Sequence, residues 1–408
     1  MNSLWKMPDY RHWFISDTTD VVATSLRLFA IPLVIISMTK SEFISGIVVT
    51  LVSVTTMIAT PIGGAIADRR NRRRMMMLLG VIGASLSVIA VILICVGNQI
   101  STWMFIGIVI FFALNSGLLC PSNNAILKSI VPVKLFAKSQ AIRETRESCV
   151  GILSGAVGGF FYRLSPWGPF AACGVMHIIS AISAKKLSNP TVSVEDNEDE
   201  SFIESLKNGF VWVMSSSRFR SYLAFGAVCN IACTGIIIGT QLMLAARGTD
   251  PILIGLIDGV MGIVMLLGSL CAMKITETLS PGLIATLTVV LFGISLVPMI
   301  FTDNYYVILA CVSLGGFLFP ACNSSLLGFL YGHTPNNMQG RADSVMETVL
   351  SVFSSFTPAL VGWILESPSG FTGVVILCVT CSAVSMLITL GKPLRSIPQT
   401  KFWDTTTL

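Results

Sequence analysis

A handful of ionisable residues stand where the surrounding sequence would exclude water. Asp17, Asp20 and Arg27 fall within the apolar run 13–37, and Asp258 stands alone within 252–273, flanked by Gly255, Gly259 and Gly262. A charge in such a stretch is costly, so each is a functional candidate by default. Asp20 and Arg27 are seven residues apart, which puts them on one face of a helix, two turns from each other. Such a pair serves either as a structural clamp or as a site where a proton or a ligand competes for the carboxylate. Asp17 lies nearer the end of the run and is expected to be solvated. Asp258, with no opposite charge near it in sequence, suits a proton carrier or a cation site, and equally an interhelical hydrogen bond. Asn115, Asn230 and Gln241 are neutral polar residues in other apolar runs, suited to lining a cavity or joining helices. His177 reads as packing.

The sequence shows no nucleophile triad, no metal-ligand cluster and no phosphate-binding glycine loop, so no enzyme, cofactor or metal is expected. Cys229/Cys233 and Cys378/Cys381 have helical spacing that would suit a soft metal, but no histidine or carboxylate accompanies either pair. They read, like the other cysteines, as small apolar residues at helix contacts rather than as disulfides.

The elements that must hold these residues follow from composition. Only 12% of the 408 residues are charged, against roughly 25% in soluble proteins, and mean hydropathy is +0.79. Apolar runs recur at 13–37, 43–67, 75–97, 102–124, 140–162, 169–187, 219–245, 252–273, 281–301, 305–330, 341–365 and 370–391. Each is long enough to cross a hydrocarbon core about 30 Å thick. Backbone polar groups cannot stay unpaired in lipid, and runs without period-2 alternation are not barrel strands. The expectation is an all-α polytopic protein of the cell (cytoplasmic or inner) membrane with twelve transmembrane helices.

Charge placement orients them. With the N-terminus cytoplasmic, 22 of the 26 Lys and Arg residues fall in inside segments, and only Lys40, Arg163 and Arg247 fall outside. Positive charge marks the cytoplasmic side, so both termini are expected there. The net charge of +5 therefore describes topology and implies no nucleic-acid partner. Trp13, Trp103, Trp167 and Trp363 fall at predicted helix ends, where amphipathic rings settle at headgroup level. The first run follows a polar start and is expected to act as its own insertion signal.

Between the second and third runs lies Gly64-Ala65-Ile66-Ala67-Asp68-Arg69-Arg70-Asn71-Arg72-Arg73, a short basic loop. The longest polar break, Ser188 to Ser221, opens with the acidic run 195–200 and continues into Phe202, Ile203, Leu206, Phe210, Val213 and Met214 at helical spacing. That pattern predicts a solvated linker and then an amphipathic helix along the membrane face. The chain is thus expected to divide into a six-helix bundle at 1–187, a cytoplasmic linker at 188–218, a second bundle at 219–391 and a cytoplasmic tail at 392–408. The halves repeat. Pro132, Glu144-Thr145 and Ser154–Gly159 return, 203 residues later, as Pro335, Glu347-Thr348 and Thr357–Gly362. Pro121-Ser122-Asn123-Asn124 likewise echoes Pro320-Ala321-Cys322-Asn323. Parallel repeats of this kind are a transporter architecture.

At these residues the chain resembles the major facilitator superfamily over essentially its whole length. The 64–73 segment looks like that superfamily's signature between helices 2 and 3, with Asn71 where the family often has Gly. Ser16-Asp17 with Asp20, Thr39-Lys40-Ser41, and Glu204 through Gly209-Phe210 resemble the multidrug and siderophore-export branch of drug–proton antiporters. The chain departs from that branch at Ala113, where many members carry an arginine, and at Ser154–Gly159, where their Gly-Pro-rich motif stands. The resemblance implies two pseudo-symmetric six-helix bundles and a gating role for Gly64, Asp68, Arg69, Arg72 and Arg73. Gly64 is expected at a close helix approach and Asp68 at the N-terminus of a neighbouring helix. The arginines are expected to pair with Glu144, Glu147, Asp343 or Glu347.

The function so implied is proton-coupled efflux of small amphipathic compounds by alternating access, working as a monomer in the lipid bilayer. A dedicated exporter of one metabolite, such as a siderophore or a self-made antibiotic, is the alternative within transport. A transporter-like receptor or assembly factor that binds without moving its ligand is the alternative outside it.

Overall fold

The computed structural model describes residues 4–188, 202–335 and 338–405. The acidic run 195–200 lies outside them. Among the described residues the regular structure is helical throughout. It comprises α1 (Pro8–Thr39), α2 (Glu42–Arg69), α3 (Arg72–Val96), α4 (Gln99–Leu119), α5 (Pro121–Ile130), α6 (Val133–Leu164) and α7 (Gly168–Lys185). There follow α8 (Phe202–Ser215), α9 (Ser217–Ala246), α10 (Pro251–Thr278), α11 (Pro281–Leu296), α12 (Tyr305–Gly315), α13 (Phe319–Gly332), α14 (Gln339–Leu365) and α15 (Gly370–Leu390).

Local sequence sets the helix ends. Ser41 caps α2 by accepting from Ile44 N–H at 3.1 Å, and Asn98 forms a capping box with Ser101 at the start of α4. Asn71 accepts from Arg74 N–H at 3.1 Å, so the side chain that replaces the family's glycine caps α3. Prolines occupy the first turns of α1, α5, α7, α11 and α13, where their missing N–H is no loss.

Among the described residues, ten spans are long and apolar enough on their own to cross a membrane, and α6 with α7 meets that criterion only as a pair, bent 119° at Ser165–Trp167. The two runs at 140–162 and 169–187 are therefore the weakest of the twelve expected. Their composition explains it. The first half of α6 carries Lys134, Lys138, Arg143, Glu144, Arg146 and Glu147, and α7 is 18 residues long. The fourth and tenth runs are each interrupted, at Cys120 before Pro121 and at Gly316–Leu318 before Phe319-Pro320. The repeated proline thus breaks the same helix in each half of the sequence, because its ring cannot continue the preceding turn.

Two compact units result, Met1–Asp196 with Leu244–Gly259, and Asn197–Met243 with Val260–Leu408. In the first, α3 packs on α7 and α4, α1 on α7 and α6, and α2 on α4. Its core includes Phe105, Phe112, Val34 and Ile35. In the second, α11 packs on α15 and α12, and α8 lies against α14. In α8, Val213 is buried, whereas Phe210 of the expected apolar face is exposed, as is Val211, so protein covers only part of that face. Large apolar side chains such as Ile100, Leu270, Met273 and Phe301 face outward, which suits a lipid surround rather than water.

The tryptophans divide. Trp103, Trp167 and Trp363 are exposed, but Trp13 is fully buried and donates to the Asn123 carbonyl at 2.9 Å. Trp13 is thus packed inside the bundle rather than presented on its surface like the other three. Its indole has a hydrogen-bond acceptor inside the bundle, so burial leaves no donor unpaired.

Candidate functional site

Of the residues considered for chemistry, Asp17, Asp20 and Arg27 on α1 are buried together with His177 in the first unit. Asp20 is 4% exposed and Arg27 3%. Among the described residues no ion pair joins them. Arg27 instead donates to Ser116 Oγ on α4 at 3.1 Å and lies over the Phe112 ring, 4.4 Å from its centroid. Two turns of helix separate the pair by about 10 Å, too far for contact unless both side chains bend inward.

Asp20 faces a residue whose role the sequence concealed. His177 on α7 is fully buried, with Nδ1 3.5 Å from Asp20 Oδ1. Its ring stacks on Phe112 at a centroid distance of 6.5 Å. Gly83 on α3 makes room for it, since a Cβ there would come within 2.8 Å of three imidazole atoms. Asp20 Oδ1, Arg27 Nη1 and both ring nitrogens of His177 are buried without a hydrogen-bond partner. Buried polar atoms are nearly always bonded, so this cluster holds hydrogen-bonding capacity in reserve. The signal that finds it is a histidine in an apolar run, one bundle position away from an acid.

Beside it, Asp17 is buried rather than solvated. It forms an ion pair with Arg146 on α6 and accepts from Asn123 Nδ2 on α5 at 2.8 Å. Arg146 also reaches Glu147 at 3.0 Å, which Arg143 contacts at 2.9 Å. The charges of α6 therefore complete a network across α1, α5 and α6. Glu147 is paired within its own helix, and Glu144 is exposed.

A third feature joins α6 to the start of α10, within the same unit. A Cβ on Gly255 would lie 1.9 Å from the Gly155 carbonyl oxygen, and one on Gly159 would lie 2.3 Å from the Pro251 carbonyl oxygen. Only glycine permits two backbones to approach this closely. Asp258 sits in this seam, since a Cβ on Gly155 would fall 3.1 Å from its Cβ and Oδ2. At the end of the seam Arg163 and Asp250 pair at 3.3 Å.

The basic loop is built differently from the expectation. A Cβ on Gly64 would meet nothing within 4 Å; the close approach falls one residue earlier, at Gly63, 2.4 Å from the Gly117 carbonyl oxygen. The helical phase explains it, because neighbouring residues point about 100° apart. Asp68 lies in the last turn of α2, and its side chain is outside the described residues, as is that of Glu204. Arg69 is exposed at the same helix end. Arg72 donates to the carbonyls of Ala67 at 3.2 Å and Ala125 at 3.0 Å, and Arg73 donates to that of Lys185, the last residue of α7. At Ala67 and Lys185, in the last turns of α2 and α7, these cations satisfy carbonyls that have no helical partner.

The remaining candidates separate by role. Asn115 donates to the Leu79 carbonyl at 3.1 Å and so ties α4 to α3. Asn230 donates to the Gly226 carbonyl of its own helix at 2.9 Å, and Gln241 is partly buried on α9. Asp343 accepts from the Tyr331 hydroxyl, and Glu347 is exposed on α14.

Tandem helical units, an apolar exterior and an under-bonded polar cluster inside one of them describe a polytopic membrane protein. The chain belongs to the Major Facilitator Superfamily, whose profile matches residues 19–228 and again 221–405. It is accordingly a multi-pass transporter of the cell membrane, from a family of transporters rather than enzymes. The chain is 23% identical over 390 residues to multidrug resistance protein MdtG of Proteus mirabilis, covering 91% of this chain and 92% of that one. It is 24% identical over 362 residues to the enterobactin exporter EntS of Shigella flexneri, covering 83% and 80%. Among solved structures, a mutant of nucleoside transporter NupG superposes with a TM-score of 0.72 at 11% identity, covering 93% of this chain and 98% of that one.

Proposed function

We propose that this protein is a secondary exporter that moves a small amphipathic compound outward by alternating access in exchange for protons, with Asp20 as the proton-bearing group. The observation that carries this reading is the buried carboxylate of Asp20, 3.5 Å from His177 and without a hydrogen bond on Oδ1. Ionised, Asp20 offsets the charge of Arg27 in the same interior. Protonated, it leaves that charge uncompensated, and the difference biases a two-state equilibrium. Asp258, in the glycine seam of α6 and α10, is the second carboxylate available for coupling. The relatives named for multidrug resistance and enterobactin export support the outward direction.

The same reading carries twelve spans in two six-helix bundles at 1–187 and 219–391, with linker and tail cytoplasmic, as the placement of positive charge favours. It gives the 64–73 loop a gating role and takes the monomer as the working unit. The likeness to an enterobactin exporter favours a narrower second reading, a dedicated exporter of one metabolite.

Proton-gradient-driven accumulation of a panel of lipophilic dyes inside inverted vesicles, the equivalent of efflux from the cell, tests the proposal. Gradient-dependent efflux that Asp20→Asn abolishes is the expected result. Absence of efflux for every dye, with folded wild-type protein in the membrane, overturns the broad multidrug reading in favour of the dedicated exporter.

A further inference from the structure

The second unit contains a cavity of about 410 Å³ walled by α9 to α14, within the size range of small-molecule sites. Its lining differs in kind from the interior of the first unit. Aromatic rings (Phe225, Phe319) and the polarisable thioethers of Met261 and Met265 form the walls, and among the described residues no Asp, Glu, Lys, Arg or His lines it. The polar groups of the wall are hydroxyl, thiol and carboxamide. Asn230 on α9 uses its N–H₂ group on the Gly226 carbonyl, which leaves its carboxamide oxygen to accept. Asn323 on α13 lines the cavity and is exposed.

The repeat sharpens the contrast. Pro121–Asn124 and Pro320–Asn323 begin α5 and α13 in the two halves. In the first unit, Asn123 at this motif reaches Asp17 and so joins a charged network. In the second, Cys322 stands at the matching position and faces the cavity beside Cys229 and Cys233. The same backbone element therefore supports an ionic network in one unit and an uncharged pocket in the other.

We infer that this cavity is a binding site for an uncharged aromatic molecule that carries a hydroxyl or amide N–H. Aromatic faces and sulfur atoms favour a flat, polarisable ring system, and the Asn230 oxygen takes the ligand's donor. An ammonium or carboxylate group on the same ring system would enter without a counter-charge, at a cost that removes most of its affinity. The inference deepens the export reading by naming the class of its substrate. Equilibrium binding, with no gradient present, tests it separately from transport.

The measurement is binding of naphthol, naphthylmethylammonium and naphthoate to the purified full-length protein in detergent. Naphthol is expected to bind at least about tenfold more tightly than either ion, from the cost of an unpaired charge. Met265→Trp, which fills the cavity, is expected to abolish naphthol binding while thermal unfolding still reports a folded protein. Asn323→Asp is expected to reverse the preference toward the ammonium probe, a gain that a misfolded variant cannot give. Equal binding of neutral and charged probes, naphthol binding unchanged in folded Met265→Trp, or displacement of naphthol by an alkanol of similar size as effectively as by naphthol itself would each overturn the inference.

Discussion

Asp20 on α1 and His177 on α7 face each other across 3.5 Å in the interior of the first unit, and Gly83 on α3 supplies the space that lets the imidazole lie there. An acid and a base so placed can hold their protons in two arrangements, a neutral pair or an ion pair. Gly83→Ala puts a methyl group against the ring and is expected to destabilise the protein by about 1–3 kcal/mol through overpacking. Thermal unfolding in detergent measures that loss, and transport should fall with it. His177→Gln, which is close to the imidazole in volume and cannot carry a proton, should remain folded and lose gradient-driven transport. Full transport by that variant would reduce His177 to packing.

The Asp17–Arg146 pair calls for a structural test. Removing one partner strands a buried charge, so Asp17→Ala is expected to cost about 3–5 kcal/mol. Changing both partners to neutral residues should cost less than the sum of the single changes, which a double-mutant cycle on unfolding midpoints would show. The half-exposed Arg163–Asp250 pair should contribute under about 1 kcal/mol by the same assay.

Two glycines with similar sequence credentials should behave in opposite ways. Gly255→Ala places a Cβ 1.9 Å from the Gly155 carbonyl oxygen, so α6 and α10 must separate and stability should fall. Gly64→Ala meets open space and should be neutral or stabilising by up to about 1 kcal/mol, since alanine is the better helix residue. Comparing the two melting temperatures checks both assignments at once.

Residues near the C-terminus are fastened by His333. Its ring nitrogens face the Trp403 carbonyl oxygen at 3.0 Å and that of Phe329 at 2.8 Å, and Trp403 packs edge-on against Phe329. His333→Ala should release this segment, read as faster tryptic cleavage after Lys401 with little change in the unfolding temperature.

How far the sequence reaches depends on the kind of feature. Long apolar runs mark helices because lipid leaves the backbone no alternative, and the prolines at 121 and 320 mark where two of them break. Asp20 was legible as a candidate because a carboxylate in an apolar run is rare. Its partner was not. Asp20 and His177 are 157 residues apart in sequence, and Arg27, two turns along the same helix, offered a nearer but mistaken partner. Asp17 was misjudged for a related reason, since its position near a helix end says nothing of Arg146 arriving from α6. At the basic loop, the motif located the close approach to within one residue, and helical phase decided for Gly63 over Gly64. The cavity of the second unit was invisible in advance, because residues that line a cavity have the same composition as residues that pack two helices.

Proton release on ligand binding tests the central claim most directly. Purified protein in weakly buffered detergent solution, with a pH indicator, would be mixed with a lipophilic dye that it exports. The wild type should release protons as the dye binds, and Asp20→Asn should bind the dye and release none. Undiminished proton release by folded Asp20→Asn would contradict the assignment of Asp20 as the proton-bearing group.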